Sequence, residues 1–174
     1  MAGHSKWAKI KHKKAVTDAK KSKIFSKIVR YISVEAKRAK GDRSAPGLRL
    51  AIEKARGANV PSDTIDRAIE KAGGSADMER VVYETYGPGG VAVVIEGLTD
   101  NRNRTGAEIK HILSLHGTSL ASQGAALWAF ARSEHGLSPT STVDIAEEDG
   151  EKLAALIEQL EEHDDVQEVY TNAS

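Results

Sequence analysis

Lys6, Lys9, Lys11, Lys13 and Lys14 crowd into the first stretch of the chain, and Lys20, Lys21, Lys23 and Lys27 follow. Trp7 and His12 stand among them, and Asp18 is the only acid in the first 28 positions. Lysine at this density is either a solubilising tail or a means of concentrating phosphate by summed positive potential, and its continuation onto a patterned helix points to the second. A tryptophan set among the cations adds a ring that can stack on a base or pack on the protein. A second set is Arg102 and Arg104 in "TDNRNRTGAE", between a strand end and a helix start. Backbone N–H groups at a helix start favour anions, and two guanidinium groups add charge-assisted hydrogen bonds. Asn101 and Asn103 can shape that loop through their own backbone. The plainer alternative is an asparagine-rich turn carrying solvated arginines.

Other chemistries find no support. The chain has no cysteine, which removes disulfides, thiolate metal sites and cysteine nucleophiles together. His111 and His116 are five apart and miss the spacing of a helical zinc pair. No serine elbow is present, and "GPGG" lacks the Lys-Ser/Thr of a phosphate-binding loop, so it is expected to be a hairpin turn. The acidic run Glu147, Glu148, Asp149 and Glu151 marks a helix start, where negative charge is favoured. The expectation is a non-enzyme with no catalytic residue, metal, cofactor or small-molecule substrate.

The net charge of zero over 174 residues hides an asymmetry. Residues 1–43 carry +11 and residues 44–174 carry −11. That split predicts a basic module joined to an acidic body, with a polyanion as partner. The basic start has no apolar core of a secretory signal and is rich in lysine where a mitochondrial leader is rich in arginine. No apolar run approaches the roughly 20 residues that cross a bilayer. A cytoplasmic protein without a membrane partner is expected.

The elements that must position these residues follow from periodicity. Residues 1–18 lack an apolar period and predict a flexible basic arm. Ile24, Ile28 and Ile32, with Phe25, Val29 and Ala36, predict an apolar stripe on a helix from about Lys20 to Lys40, its lysines largely off the stripe. A second helix begins at Pro46, and a third is capped by Ser62 and stopped at Gly73-Gly74. After Gly74 the period becomes two. Strands are expected at 80–86, 91–98, 125–131, 141–146 and 166–171. Helices are expected at "TGAEIKHILSLHG", through a capping box of Thr105 and Glu108, and at the acidic "EEDGEKLAALIEQLEEH". The fold class is therefore α+β: a basic arm over 1–18, a three-helix bundle over 19–75, and a ferredoxin-like antiparallel sandwich over 76–174 with helices on one face.

The stretches "MAGHSKWAKIKHKKAVTDAKKSKIFSKI", "LRLAIEKARGANVPSDTIDRAI", "YETYGPGGVAVVIEGLTDNRNRTGAEI" and "DVQEVYTN" closely resemble the YebC/PmpR family, which includes the mitochondrial translational activator of cytochrome c oxidase. The resemblance implies a helical bundle followed by two α+β domains, one inserted in the other, and a non-enzymatic role in gene expression. Here "LWAFARSEHGLSPTSTVDI" runs straight from one strand to the next, so the family's inserted domain is expected to be missing near 131–140. Bacterial relatives are described as DNA-binding transcriptional regulators, and others resemble ribosome-associated factors that relieve stalling. Two readings stay open: a DNA-binding transcriptional regulator, and a translation factor that binds ribosomal RNA. A third is a protein-interaction module whose acidic body recruits a basic partner.

Overall fold

The computed structural model describes Trp7, Ile10 and residues 18–74, 77–134 and 136–174. It divides into two compact units, residues 16–79 and residues 1–15 with 80–174.

The first unit is helical. Helix α1 spans Asp18–Arg38, α2 Pro46–Gly57 and α3 Ser62–Glu70. Four-residue spacing puts Ile28, Ile32 and Ala36 on one face of α1, where they meet Leu48, Ala51 and Ala55 of α2 and Ile65 and Ile69 of α3. Pro46 starts α2 as expected. Ser62 does not cap α3; Pro61 holds that position and no side chain caps the helix. Lys37 and Arg38 close α1 in its last turn, where the helix dipole favours cations.

The second unit is α+β. Its three-stranded sheet has the order β1 (Glu79–Tyr86), β2 (Ala92–Thr99), β5 (Val166–Thr171). Strand β2 is buried along nearly its whole length, as the continuous apolar run around "VAVVI" requires of a central strand. It pairs antiparallel with β5, Val94 opposite Tyr170, with an irregularity between Glu96 and Gly97. The β1–β2 connection is the "GPGG" turn, with Gly89 and Gly90 at φ of 74° and 76°, conformations in which a side chain is strained. Helices α4 (Arg102–Leu115) and α5 (Glu147–Glu162) cover one face. There Val91, Val93 and Ile95 pack with Ile109, Leu113, Leu153, Leu156 and Leu160. The other face carries Ala92 and Val94 under Ala126, Ala129, Phe130 and Leu137.

The α+β class holds, and three local expectations do not. The strand expected at 125–131 is a 3-10 turn, Leu127–Ala129, followed by β3 (Phe130–Ser133). No strand forms at 141–146; Val143 makes a single parallel bridge to Ala173, and β3 pairs instead with β4 (Gly136–Pro139) as a separate hairpin. Helix α4 begins at Arg102 rather than Thr105, because the Asn101 side chain caps it by accepting from the Arg104 backbone N–H at 3.1 Å. Among the described residues no helix is long and apolar enough to cross a membrane.

Candidate nucleic-acid interface

Of the lysines expected to meet a polyanion, Lys20, Lys21, Lys23 and Lys27 lie among the described residues, on helix α1. At 100° per residue, Lys20, Lys23, Lys27 and Arg30 fall on one side, opposite the Ile28, Ile32 and Ala36 stripe. Burying the stripe in the bundle therefore fixes where the cations point. All four are half-buried, and Lys21 is exposed nearer the apolar side. The run from Lys20 to Arg30 covers about 15 Å of helix. Between Asp18 and Glu35 the helix has no acid. Lys37 lies on the same side and pairs with Asp77 at 2.7 Å.

The expected contacts Lys6, Lys9, Lys11, His12, Lys13 and Lys14 lie outside the described residues. Trp7 lies within them, half-buried against the apolar cluster under α4 and α5. Ile10 reaches Gly150 on α5, its Cδ1 2.7 Å from where a Cβ would stand. Both large apolar residues of this segment thus rest on the α+β unit.

Arg102 and Arg104 occupy the first turn of α4, and the structure separates their settings. The Arg104 guanidinium donates to Asp100 Oδ1 at 2.9 Å and to Asp165 Oδ2 at 3.0 Å. Those bonds hold it firmly protonated and direct its charge to the protein's own carboxylates. Arg102 lines an open groove with Asn103 and Lys110 of α4 and Arg80 of β1. The two arginines do not converge on one point.

Two carboxylates that sequence reasoning missed hold this region together. Asp165, at the start of β5, is buried and takes Thr105 Oγ1 at 2.7 Å besides Arg104. Its backbone N–H donates to His163 Nδ1 at 3.1 Å, which leaves the ring proton on Nε2, 2.7 Å from Glu108 Oε2. Glu108, His163 and Asp165 bring ligand atoms within 4.8 Å of one another. Each already has a partner in this network, which ties the start of α4 to the turn before β5. Glu84, buried on β1, accepts backbone N–H bonds from Gly124, Ala126 and Leu127 at 2.7, 2.7 and 2.8 Å. Burial pushes its carboxyl toward the neutral form, but the three donors outweigh that and hold it below the usual carboxylate range. The pairs are separated by tens of residues, and no local spacing announces them.

Known proteins resemble the chain along its length. The TACO1/YebC protein N-terminal domain matches residues 5–75, and the TACO1/YebC second and third domain matches 78–135 and 130–173. A probable transcriptional regulatory protein of Thermosipho africanus is 38% identical over 235 residues, covering 99% of this chain and 93% of the relative. One of Halothermothrix orenii is 45% identical over 180 residues, covering 100% of this chain and 71% of the relative. The crystal structure of a conserved hypothetical protein from Aquifex aeolicus superposes with a TM-score of 0.79 at 34% identity, over 95% of each chain. The bundle, the α+β unit and these matches agree, and the chain belongs to the TACO1/YebC family.

Proposed function

We propose that this chain is a nucleic-acid-binding regulator of gene expression that meets its target through the basic face of α1 and the lysine-rich segment before it. The observation that carries the reading is the fixed opposition on α1 of Lys20, Lys23, Lys27 and Arg30 to the buried Ile28–Ile32–Ala36 stripe. A charge run on a mobile tail needs no such partner face. Relatives named as probable transcriptional regulatory proteins favour DNA as the target and transcription as the process regulated.

The chain is also read as a form without the family's inserted domain. An alignment of 235 positions exceeds the 174 residues present, and the family match breaks into two stretches that meet at β3. At that point β3 pairs antiparallel with β4, Ser133 opposite Gly136.

Cross-linking in cells followed by sequencing of the bound nucleic acid tests the reading. Promoter DNA is the expected catch. Ribosomal RNA would transfer the same surface to a translation factor, and recovery of no nucleic acid would overturn the proposal.

A further inference from the structure

The α+β unit is acidic in total, yet one groove on it is not. Residues 80–174 hold 16 acidic and six basic side chains. Three of the six, Arg80, Arg102 and Lys110, line a single groove of about 720 Å³ between β1 and α4. Of the 16 acids only Glu84 reaches its lining, and that carboxylate is turned onto three backbone N–H groups. The groove therefore gathers half of the basic side chains of residues 80–174, while the one carboxylate in its lining is engaged by backbone N–H groups. Asn103 and Gln123 add side-chain amides to the wall, and Val81, Leu120 and Ala121 an apolar floor.

Beside it stands an aromatic platform. Leu127 lines the groove, and the next residue, Trp128, is 62% exposed. The Trp128 indole N–H donates to the Tyr86 hydroxyl at 3.1 Å, and that hydroxyl donates to the Ala125 carbonyl. The polar edge of the ring is thus satisfied by the protein and its orientation held, leaving the apolar face to solvent. Exposure of so much apolar ring is unfavourable unless something stacks on it.

We propose that this groove and Trp128 form a second binding site, which takes a single-stranded segment of nucleic acid. Arg102 and Lys110 are eight residues apart on α4, about 12 Å along the helix, and Arg80 faces them from β1. That spread suits successive phosphates of a backbone rather than one point anion. The groove has the volume of a site for a drug-sized ligand, room for about two nucleotides and too little for the girth of a duplex. Cations along a backbone, amides at base edges and one stacking ring are the parts from which single-strand sites are built. The inference rests on the nucleic-acid reading above and adds the form of the ligand and a place for it on the α+β unit.

The test uses the full chain with fluorescein-labelled oligothymidylate, oligouridylate and a duplex of equal length, read by anisotropy and by tryptophan emission. Trp7 and Trp128 are the two tryptophans, so the native chain is compared with Trp128→Phe. The expected result is quenching by the single strands that is absent in Trp128→Phe and weak with duplex. Trp128→Ala should weaken single-strand binding by about tenfold. Arg80→Gln with Lys110→Gln should flatten its salt slope by about 1.4. Tighter oligouridylate binding would make the ligand RNA, and tighter oligothymidylate binding DNA, each within the proposal. Binding by anisotropy with unchanged emission and indifference to the groove substitutions would overturn this site and leave the α1 reading standing. No binding of any oligonucleotide would remove that reading and this site together. Concentration-dependent self-association abolished by Trp128→Ala would overturn the proposal by assigning the platform to a second copy of the chain.

Discussion

The Thr105 hydroxyl donates to the buried carboxylate of Asp165 at 2.7 Å, joining the first turn of α4 to the start of β5 across 60 residues of sequence. Thr105 is itself buried and also lies 2.7 Å from the Thr99 hydroxyl. Removing the hydroxyl with little change of shape tests this bond together with the Thr99 contact. Thr105→Val should cost about 1–3 kcal/mol in urea unfolding, because Asp165 stays buried and loses a donor. Asp165→Ala should cost more, since it takes the acceptor from Arg104 as well as from Thr105. If Thr105→Val unfolds at the native midpoint, the bond contributes nothing and the network is held by its other members, Arg104 and His163.

Glu84 should make stability depend on acid. Its carboxyl is held below the ordinary range in the folded chain, so the folded state binds its proton less readily than the unfolded state. Stability from this group is fully present above the unfolded carboxylate value, near 4.3, and is lost as pH falls through the lower folded value. Glu84→Gln keeps the shape, gives up the charge and should weaken three charge-assisted hydrogen bonds. Thermal melts taken from neutral pH down into the acid range should fall less steeply for Glu84→Gln than for the native chain. Parallel curves would remove the three-donor geometry as the cause.

What the sequence disclosed, and what it hid, follows from range. The apolar stripe and basic face of α1 are written at spacings of three and four, so both were legible. The central strand was legible from "VAVVI" alone. The stretch "AALWAFA" misled because it is apolar without alternation. Glu84, about 40 residues away, captures the N–H groups of Ala126 and Leu127, which a ladder would need, and the chain turns there. "STVDIA" has strand composition, yet Ile145 sinks into the helical side of the core and α5 begins at Glu147, leaving room for one bridge. The Thr105–Glu108 pair matches a capping box, but Asn101 caps first and the Thr105 hydroxyl turns to Asp165 instead. Trp7 was weighed between stacking and packing, and only the fold shows the apolar cluster it meets.

Gly47 near the start of α2 should resist the substitution that helices usually welcome. Alanine in place of a helical glycine commonly gains about 0.5–1 kcal/mol. Here a Cβ at Gly47 would overlap the carboxylate of Glu35, which is 6% exposed and has little room to retreat. Gly47→Ala should therefore destabilise the bundle by about 1 kcal/mol or more, as overpacking does. Glu35→Ala should remove the clash, so the double mutant Glu35→Ala/Gly47→Ala should be less destabilised than the two single costs added. Additive costs would mean that the carboxylate is not what excludes a side chain at position 47.

The basic face of α1 should act through charge number. Each lysine that neutralises a phosphate of duplex DNA contributes about 0.9 to the slope of log affinity against log salt. Lys20→Gln, Lys23→Gln and Lys27→Gln together should flatten that slope by about 2–3 and weaken duplex binding most at low salt. The bundle should keep its melting temperature, because none of the three belongs to its apolar core. Lys37→Gln is a further comparison: Lys37 shares the face, and its 2.7 Å pair with Asp77 should limit its own effect on the slope. An unchanged slope in the triple variant, with the fold intact, would take α1 out of the interface. It would leave phosphate contact to the lysines from Lys6 to Lys14 and to the groove cations Arg80, Arg102 and Lys110.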